Sequence, residues 1–211
     1  MNTIAIVDYG MGNLRSVSKA VEHADPSATI KITDDPAVIQ AASRVIVPGQ
    51  GAMPRCMQAL SKHKLREMIL DAAKNKPFLG ICLGLQMLFD YSEEGNSEAL
   101  GIFSGVVKKF IAQPVNGDGQ KLKIPHMGWN EVHQDIDHPL WRGISTDARF
   151  YFVHSYYVVA MAADIIAASS DYPTPFTCAV AKDNIFAVQF HPEKSQLAGL
   201  QLLSNFLKWT P

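Results

Sequence analysis

Three stretches of this chain carry side chains whose type and spacing could do covalent chemistry. The first is Gly80-Ile81-Cys82-Leu83-Gly84-Leu85-Gln86, which follows the apolar run Pro77-Phe78-Leu79 and precedes a helical pattern. A cysteine between small residues at a strand-to-helix turn is the thiol version of a nucleophile elbow, with the sulfur expected at the apex. A helix beginning there would favour the thiolate through its macrodipole and free N–H groups. The second is Phe190-His191-Pro192-Glu193. Its histidine and glutamate are two residues apart, so in extended backbone both side chains point the same way. A carboxylate on one imidazole nitrogen fixes the tautomer and aims the other nitrogen at a nucleophile. The third is Pro48-Gly49-Gln50-Gly51. There the Gly49–Gln50 peptide can aim an N–H at a developing oxyanion, with the N–H of Leu83 as a second donor.

Each stretch has an ordinary alternative. A lone cysteine is often a buried, inert thiol, but that leaves Gly80 and Gly84 unexplained. His191 and Glu193 could be a surface pair, and the glycine loop a plain turn. Cys82 is what lifts both above those alternatives. Gln86 stands four residues after Cys82, on the same side of a helix. Spacing does not decide between a substrate-binding amide and a solvated helix position. Cys56 and Cys178 lack such surroundings and are expected to be inert. His23, His63, His133 and His138 have no chemical neighbour in sequence and are expected at the surface.

The elements that must position these groups follow from hydrophobic periodicity. Thr3-Ile4-Ala5-Ile6-Val7-Asp8 reads as a buried strand. Asn13 is expected to cap a helix with Leu14, Val17, Ala20, Val21 and Ala24 on one face. A strand over 28–32, a short helix over 36–42, a buried strand over 44–47 and a helix marked by Leu65, Met68, Ile69 and Ala72 lead to the strand before Cys82. Alternation of this kind predicts an α/β fold with a mostly parallel central sheet, flavodoxin-like, flanked by helices on both faces. The C-terminal half predicts an additional β-rich portion, with strands over 106–111, 131–134, 150–159, 165–169, 176–181 and 185–190. A hairpin turn is expected at Lys182-Asp183-Asn184, a flexible loop over 115–119, and a last helix from Ser195 with Leu197, Leu200, Leu203 and Leu207 on one side.

Composition bounds the rest. The 211 residues are enough for one domain with a full core, read here as 1–211. A net charge of -1 gives no basic excess for a general nucleic-acid surface. No apolar run reaches the roughly 20 residues of a membrane span, and Met1-Asn2-Thr3-Ile4 lacks the charged region of a signal peptide. Three widely spaced cysteines suit a reducing cytoplasm, and without a C-x-x-C pair no metal or cofactor is expected.

Together, Gly80–Gln86 as G-x-C-x-G-x-Q and His191-Pro192-Glu193 as H-P-E resemble the class I (triad) glutamine amidotransferases, over essentially the whole chain. The resemblance implies hydrolysis of L-glutamine to glutamate and ammonia, with Cys82, His191 and Glu193 catalytic. It places Gly49, Gln50 and Leu83 at the oxyanion hole and Gln86, Ser155 and Tyr156 around glutamine. At position 50 some members carry Val, a change that leaves the backbone N–H role intact. Three further segments resemble the branch that serves as the glutaminase subunit of imidazole glycerol phosphate synthase. They are Asp8-Tyr9-Gly10-Met11-Gly12-Asn13-Leu14-Arg15-Ser16, Pro125-His126-Met127-Gly128-Trp129-Asn130 and Phe152-Val153-His154-Ser155-Tyr156. That branch implies a heterodimer with a (β/α)8-barrel cyclase that consumes the ammonia. Asn13, His126, Met127, Trp129, Tyr151 and Lys194 would lie at the partner face. Trp and Met are favoured at interface cores, although Trp129 could equally pack inside. The rival readings are a Cys-His-Glu hydrolase acting on γ-glutamyl peptides without a partner, and a degenerate member that only scaffolds another protein.

Overall fold

The computed structural model describes residues 3–111, 119 and 122–211. The expected 115–119 loop, Gly119 apart, lies outside the described residues. In the first part, strands and helices alternate: β1 (Thr3–Val7), α1 (Leu14–Ala24), β2 (Thr29–Thr33), α2 (Pro36–Ala41), β3 (Arg44–Gly49), α3 (Met53–Lys62), α4 (Arg66–Asn75) and β4 (Phe78–Cys82). A single helical turn, α5 (Leu83–Gln86), follows. Then come β5 (Phe89–Ser92), β6 (Ser97–Glu98), β7 (Phe103–Lys109), β8 (His126–Gln134), β9 (Ala148–His154), β10 (Tyr156–Ala160), β11 (Ile166–Asp171), β12 (Pro175–Lys182), β13 (Ile185–Val188) and α6 (Gln196–Lys208).

The strands run in the order β2-β1-β3-β4-β13-β12-β10-β7-β5-β6, with β11, β8 and β9 branching from β12. β2, β1, β3, β4 and β13 are mutually parallel, and β13 turns back antiparallel onto β12 through the hairpin at Asp183 and Asn184. Near-continuous apolar runs in β1, β3 and β4 reflect burial on both faces. Ile4 and Ile6 pack with α1 and α6 on one face, while Ala5 and Val7 pack with α2, α3 and α4 on the other. No helix among the described residues is long and apolar enough to cross a membrane.

Several expectations need correction. α3 is an addition to the expected elements; its buried Met53, Cys56 and Leu60 stand at helical spacing, with Pro54 in its first turn. The helix after Cys82 is one turn, because the chain re-enters the sheet at Phe89. The run 150–159 is two strands broken at Ser155, β9 pairing with β8 and β10 with β7 and β12. β8 begins at His126, five residues before the apolar run suggested, held by its register against β9. Asn13 occupies the cap position of α1 without a side-chain capping bond, its ψ of 60° lying outside the extended region in which caps fold back. Leu197 is 83% exposed, while Leu203 and Leu207 are buried as expected, together with Gly199, Leu202 and Phe206. His138 is half-buried against Phe186 and Trp209 rather than at the surface. Its Nδ1 accepts from the N–H of Leu140, and burial pushes its pKa down to about 4.

Candidate active site

The elbow is built by close packing. Cys82 sits at φ 57°, ψ −107°, a left-handed conformation that costs a non-glycine residue on the order of 1–3 kcal/mol. The glycines allow it. A Cβ on Gly84 would stand 1.9 Å from the Val47 carbonyl oxygen, and one on Gly80 would stand 2.5 Å from that of Gly84. The turn is therefore pressed onto β3 with no room for side chains. The sulfur is not raised clear of the surface, since Cys82 is only 8% exposed. The one-turn α5 also supplies far less macrodipole than a full helix would.

Strand register brings the distant motif to the sulfur. β13 lies parallel to β4 with Val188 opposite Ile81, so the chain leaving β13 passes beside Cys82. Gln189 follows at once, and its amide nitrogen donates to Cys82 Sγ at 3.6 Å. Two residues later His191 is 2% exposed, and its Nδ1 pairs with Glu193 Oε1 at 2.7 Å. Pro192 opens the 3-10 turn that folds the carboxylate back onto the ring. His191 Nε2 has no hydrogen-bond partner of ordinary geometry among the described residues. The Cys82 sulfur is nonetheless near enough to act on the charge of the ring, and catalytic hydrogen bonds commonly tighten only when substrate is bound. Burial opposes a charge on His191, but the Cys82 sulfur and the Glu193 carboxylate outweigh it and carry its pKa up to about 10. The arrangement thus favours a protonated imidazole facing the sulfur.

Cys82 and His191 open onto a cavity of about 380 Å³ that Gln50, Leu83, Gln86, Ser155 and Tyr156 also line. Gly49 ends β3 opposite Cys82, and a Cβ there would meet Leu83 Cβ and the Tyr9 hydroxyl, each at 2.6 Å. Gln86 is neither a solvated helix residue nor an open amide. It is 4% exposed, and its Nε2 donates to the Tyr156 carbonyl at 3.0 Å and to Gln189 Oε1 at 2.9 Å. The Tyr156 carbonyl also accepts from His154 Nδ1 at 2.7 Å, and that of Ser155 accepts from the Phe110 N–H.

Near the cavity mouth, Val153 and Lys194 are lining residues, and Lys194 Nζ stands 5.8 Å from the centroid of the Tyr151 ring. Tyr151 meets Trp129 edge-on at 6.1 Å. Met127 and Trp129 are exposed, by 62% and 39%. His126 departs from this face. Strand alternation turns it inward, to 3% exposure, stacked on Tyr172 with its Nδ1 2.9 Å from His154 Nε2. Asn13 lies in the loop that places Met11 against Gly51, beside the glycine turn. Cys56 and Cys178 are fully buried, and burial pushes Cys56 up to about 12 and raises Cys178 as well.

Sequence reasoning missed Gln189, His154 and Glu94. Glu94 lines the cavity and accepts the N–H of Met53. Gln189 was legible in principle, because a parallel β13 ending level with β4 sets its next residue beside Cys82. His154 stands in the Phe152–Tyr156 segment at the end of β9, where the motif assigns it no role, and Glu94 lies in a turn that carries no chemical pattern.

Residues 5–209 match the family described as glutamine amidotransferase class-I. The chain is 68% identical over 212 residues to the imidazole glycerol phosphate synthase subunit HisH of Nitrosomonas europaea, covering 100% of both chains. It is 64% identical over 212 residues to the protein of the same name from Nitrosospira multiformis, again covering 100% of each. A crystal structure of a glutamine amidotransferase matches with a TM-score of 0.71 over 97% of each chain at 15% identity, a likeness of fold. On these grounds the chain belongs to the class-I glutamine amidotransferases.

Proposed function

We propose that this chain, as one domain over 1–211, is the cytoplasmic glutaminase subunit of imidazole glycerol phosphate synthase, in L-histidine biosynthesis. Cys82 attacks the carboxamide carbon of L-glutamine. The tetrahedral adduct collapses to a γ-glutamyl thioester as His191 gives its proton to departing ammonia. His191 then takes a proton from water, which attacks the thioester and releases glutamate and the thiol. Glu193 holds the imidazole in the orientation both steps need. The N–H of Leu83 and that of the Gly49–Gln50 peptide receive the oxyanion. Gln86, Ser155 and Tyr156 shape the glutamine site, and the Glu94 carboxylate offers a counter-charge to the α-ammonium group. The observation that carries this reading is that Cys82 and His191 line one cavity while Glu193 holds the far nitrogen of the His191 ring.

The partner is a (β/α)8-barrel cyclase. It takes the ammonia internally and forms imidazole glycerol phosphate and an aminoimidazole-carboxamide ribotide. The strip Met127, Trp129, Tyr151 and Lys194 beside the cavity mouth is its docking face, with the Asn13 loop at the margin. Docking and acceptor binding turn the Gly49–Gln50 N–H toward the oxyanion. Absence of one such donor costs about 2.7–4 kcal/mol of transition-state stabilisation. Glutamate release should therefore rise about a hundred- to thousandfold when the cyclase and its ribotide are added. Equal turnover with and without them would reject the gate, and no glutamate in either state would reject the glutaminase.

A further inference from the structure

We infer that Gln189 is a positioning residue for the Cys82 thiol, and that Gln86 locks its amide with the nitrogen toward sulfur. The inference deepens the proposed function, since it takes Cys82 as the nucleophile.

The orientation follows from what each group can do. A backbone carbonyl only accepts. The Tyr156 carbonyl faces Gln86 at 3.0 Å, so the nitrogen of the Gln86 amide must lie on that side. The second hydrogen of the same nitrogen points to Gln189 at 2.9 Å, so Gln189 must present its oxygen there. Its nitrogen is then left facing Sγ at 3.6 Å. The carbonyl that starts this chain is itself held, because His154 donates its Nδ1–H to it at 2.7 Å. His154 Nε2 is then an acceptor, and His126 Nδ1 supplies the donor at 2.9 Å. Burial keeps both rings neutral, with pKa values of about 3 and about 4, and the Tyr156 carbonyl, which can only accept, sets the tautomer of His154. Gln189 is fully buried, and its backbone N–H donates to the Cys178 carbonyl, which anchors it beside β12.

A hydrogen bond donated to sulfur favours the anion over the neutral thiol and selects one side-chain rotamer. The charged and titratable groups around the sulfur are His191 with Glu193 behind it, Tyr9 on the β1 side, and Glu94, His154, Tyr156 and Lys194 around the cavity. A change at Gln189 alters none of them.

The test uses the full-length chain and iodoacetamide, with adducts on the Cys82 peptide counted by mass spectrometry as a function of pH. Glutamine is not involved, so failure of the amidotransferase reading would not affect this measurement. In Gln189→Met, thermal unfolding verifies the fold, and the pH midpoint of Cys82 alkylation should rise by about one unit. Gln86→Leu frees the Gln189 amide to turn and should shift the midpoint the same way by less. In the complex with cyclase, Gln189→Met should lower kcat while KM stays near the unsubstituted value. If Gln189→Met fails to fold, Gln189→Glu keeps the shape and should move the midpoint further, because a carboxylate replaces the donor. A midpoint unchanged within a few tenths of a unit in a folded Gln189 variant would overturn the inference.

Discussion

The parallel and antiparallel portions of the sheet solve different problems. In β1, β3 and β4 nearly every residue is buried, and the geometry is fixed so tightly that a Cβ on Gly84 has no place. That rigidity holds Cys82 in a strained conformation. In β8 and β9, alternate residues face opposite ways: Phe150, Phe152 and His154 are buried, while Met127 and Trp129 meet solvent. One face packs and the other meets solvent. β13 belongs to both portions, parallel to β4 and antiparallel to β12. His191 and Glu193 follow the end of this seam strand, beside Cys82 at the end of β4, and near the strip proposed to dock the partner.

The contrast can be broken at its strongest point. Cys82→Ala should abolish glutamate release by the complex, on the order of 10⁴-fold or more, without loss of the folded state. Glu193→Gln keeps the size of the side chain but no longer stabilises the imidazolium, and a kcat loss of about 10²–10⁴-fold is expected in steady-state assays. Gly84→Ala tests the rigid portion. Overpacking against the Val47 carbonyl should lower the free energy of unfolding by about 1–3 kcal/mol in a denaturant titration. Trp129→Ala tests the docking face and should weaken cyclase binding by about 2 kcal/mol in titration calorimetry, while thermal stability stays as it was.

A pH dependence sharpens the comparison. His126 and His154 in the antiparallel portion, and His138 beneath α6, have folded-state values of about 4, about 3 and about 4 against an ordinary 6.5. As pH falls below 6.5 the unfolded chain binds protons that the folded chain refuses, so stability is lost progressively toward pH 4. His191 is protonated in both states over that window, so its stabilisation is fully present there and adds no pH dependence. Chemical denaturation at pH 7 and pH 5 should show this loss, and His138→Gln should reduce it.

Much of this was legible because buried parallel strands announce themselves. β1, β3 and β4 are unbroken apolar runs, and the glycines around Cys82 mark the elbow. The H-P-E motif was equally plain, though its meeting with Cys82 depends on the pairing of β13 with β4, a non-local fact. His126 is buried rather than on the exposed strip, because a motif says nothing of which face a strand residue takes. Register against β9 decided that, and one position later Met127 is exposed. Leu197 shows the converse: its spacing suits a buried stripe, yet it lies in the first turn of α6 beyond the reach of the core.

The proposed chemistry depends on the placement of Cys82 against His191 and Glu193 where the chain leaves β13 beside β4. Labelling with a glutamine-shaped chloroketone tests this most directly. The expected result is a single adduct on Cys82, formed much more slowly when glutamine is present or when His191 is replaced by Asn. Labelling that ignores both glutamine and the loss of His191 would contradict it.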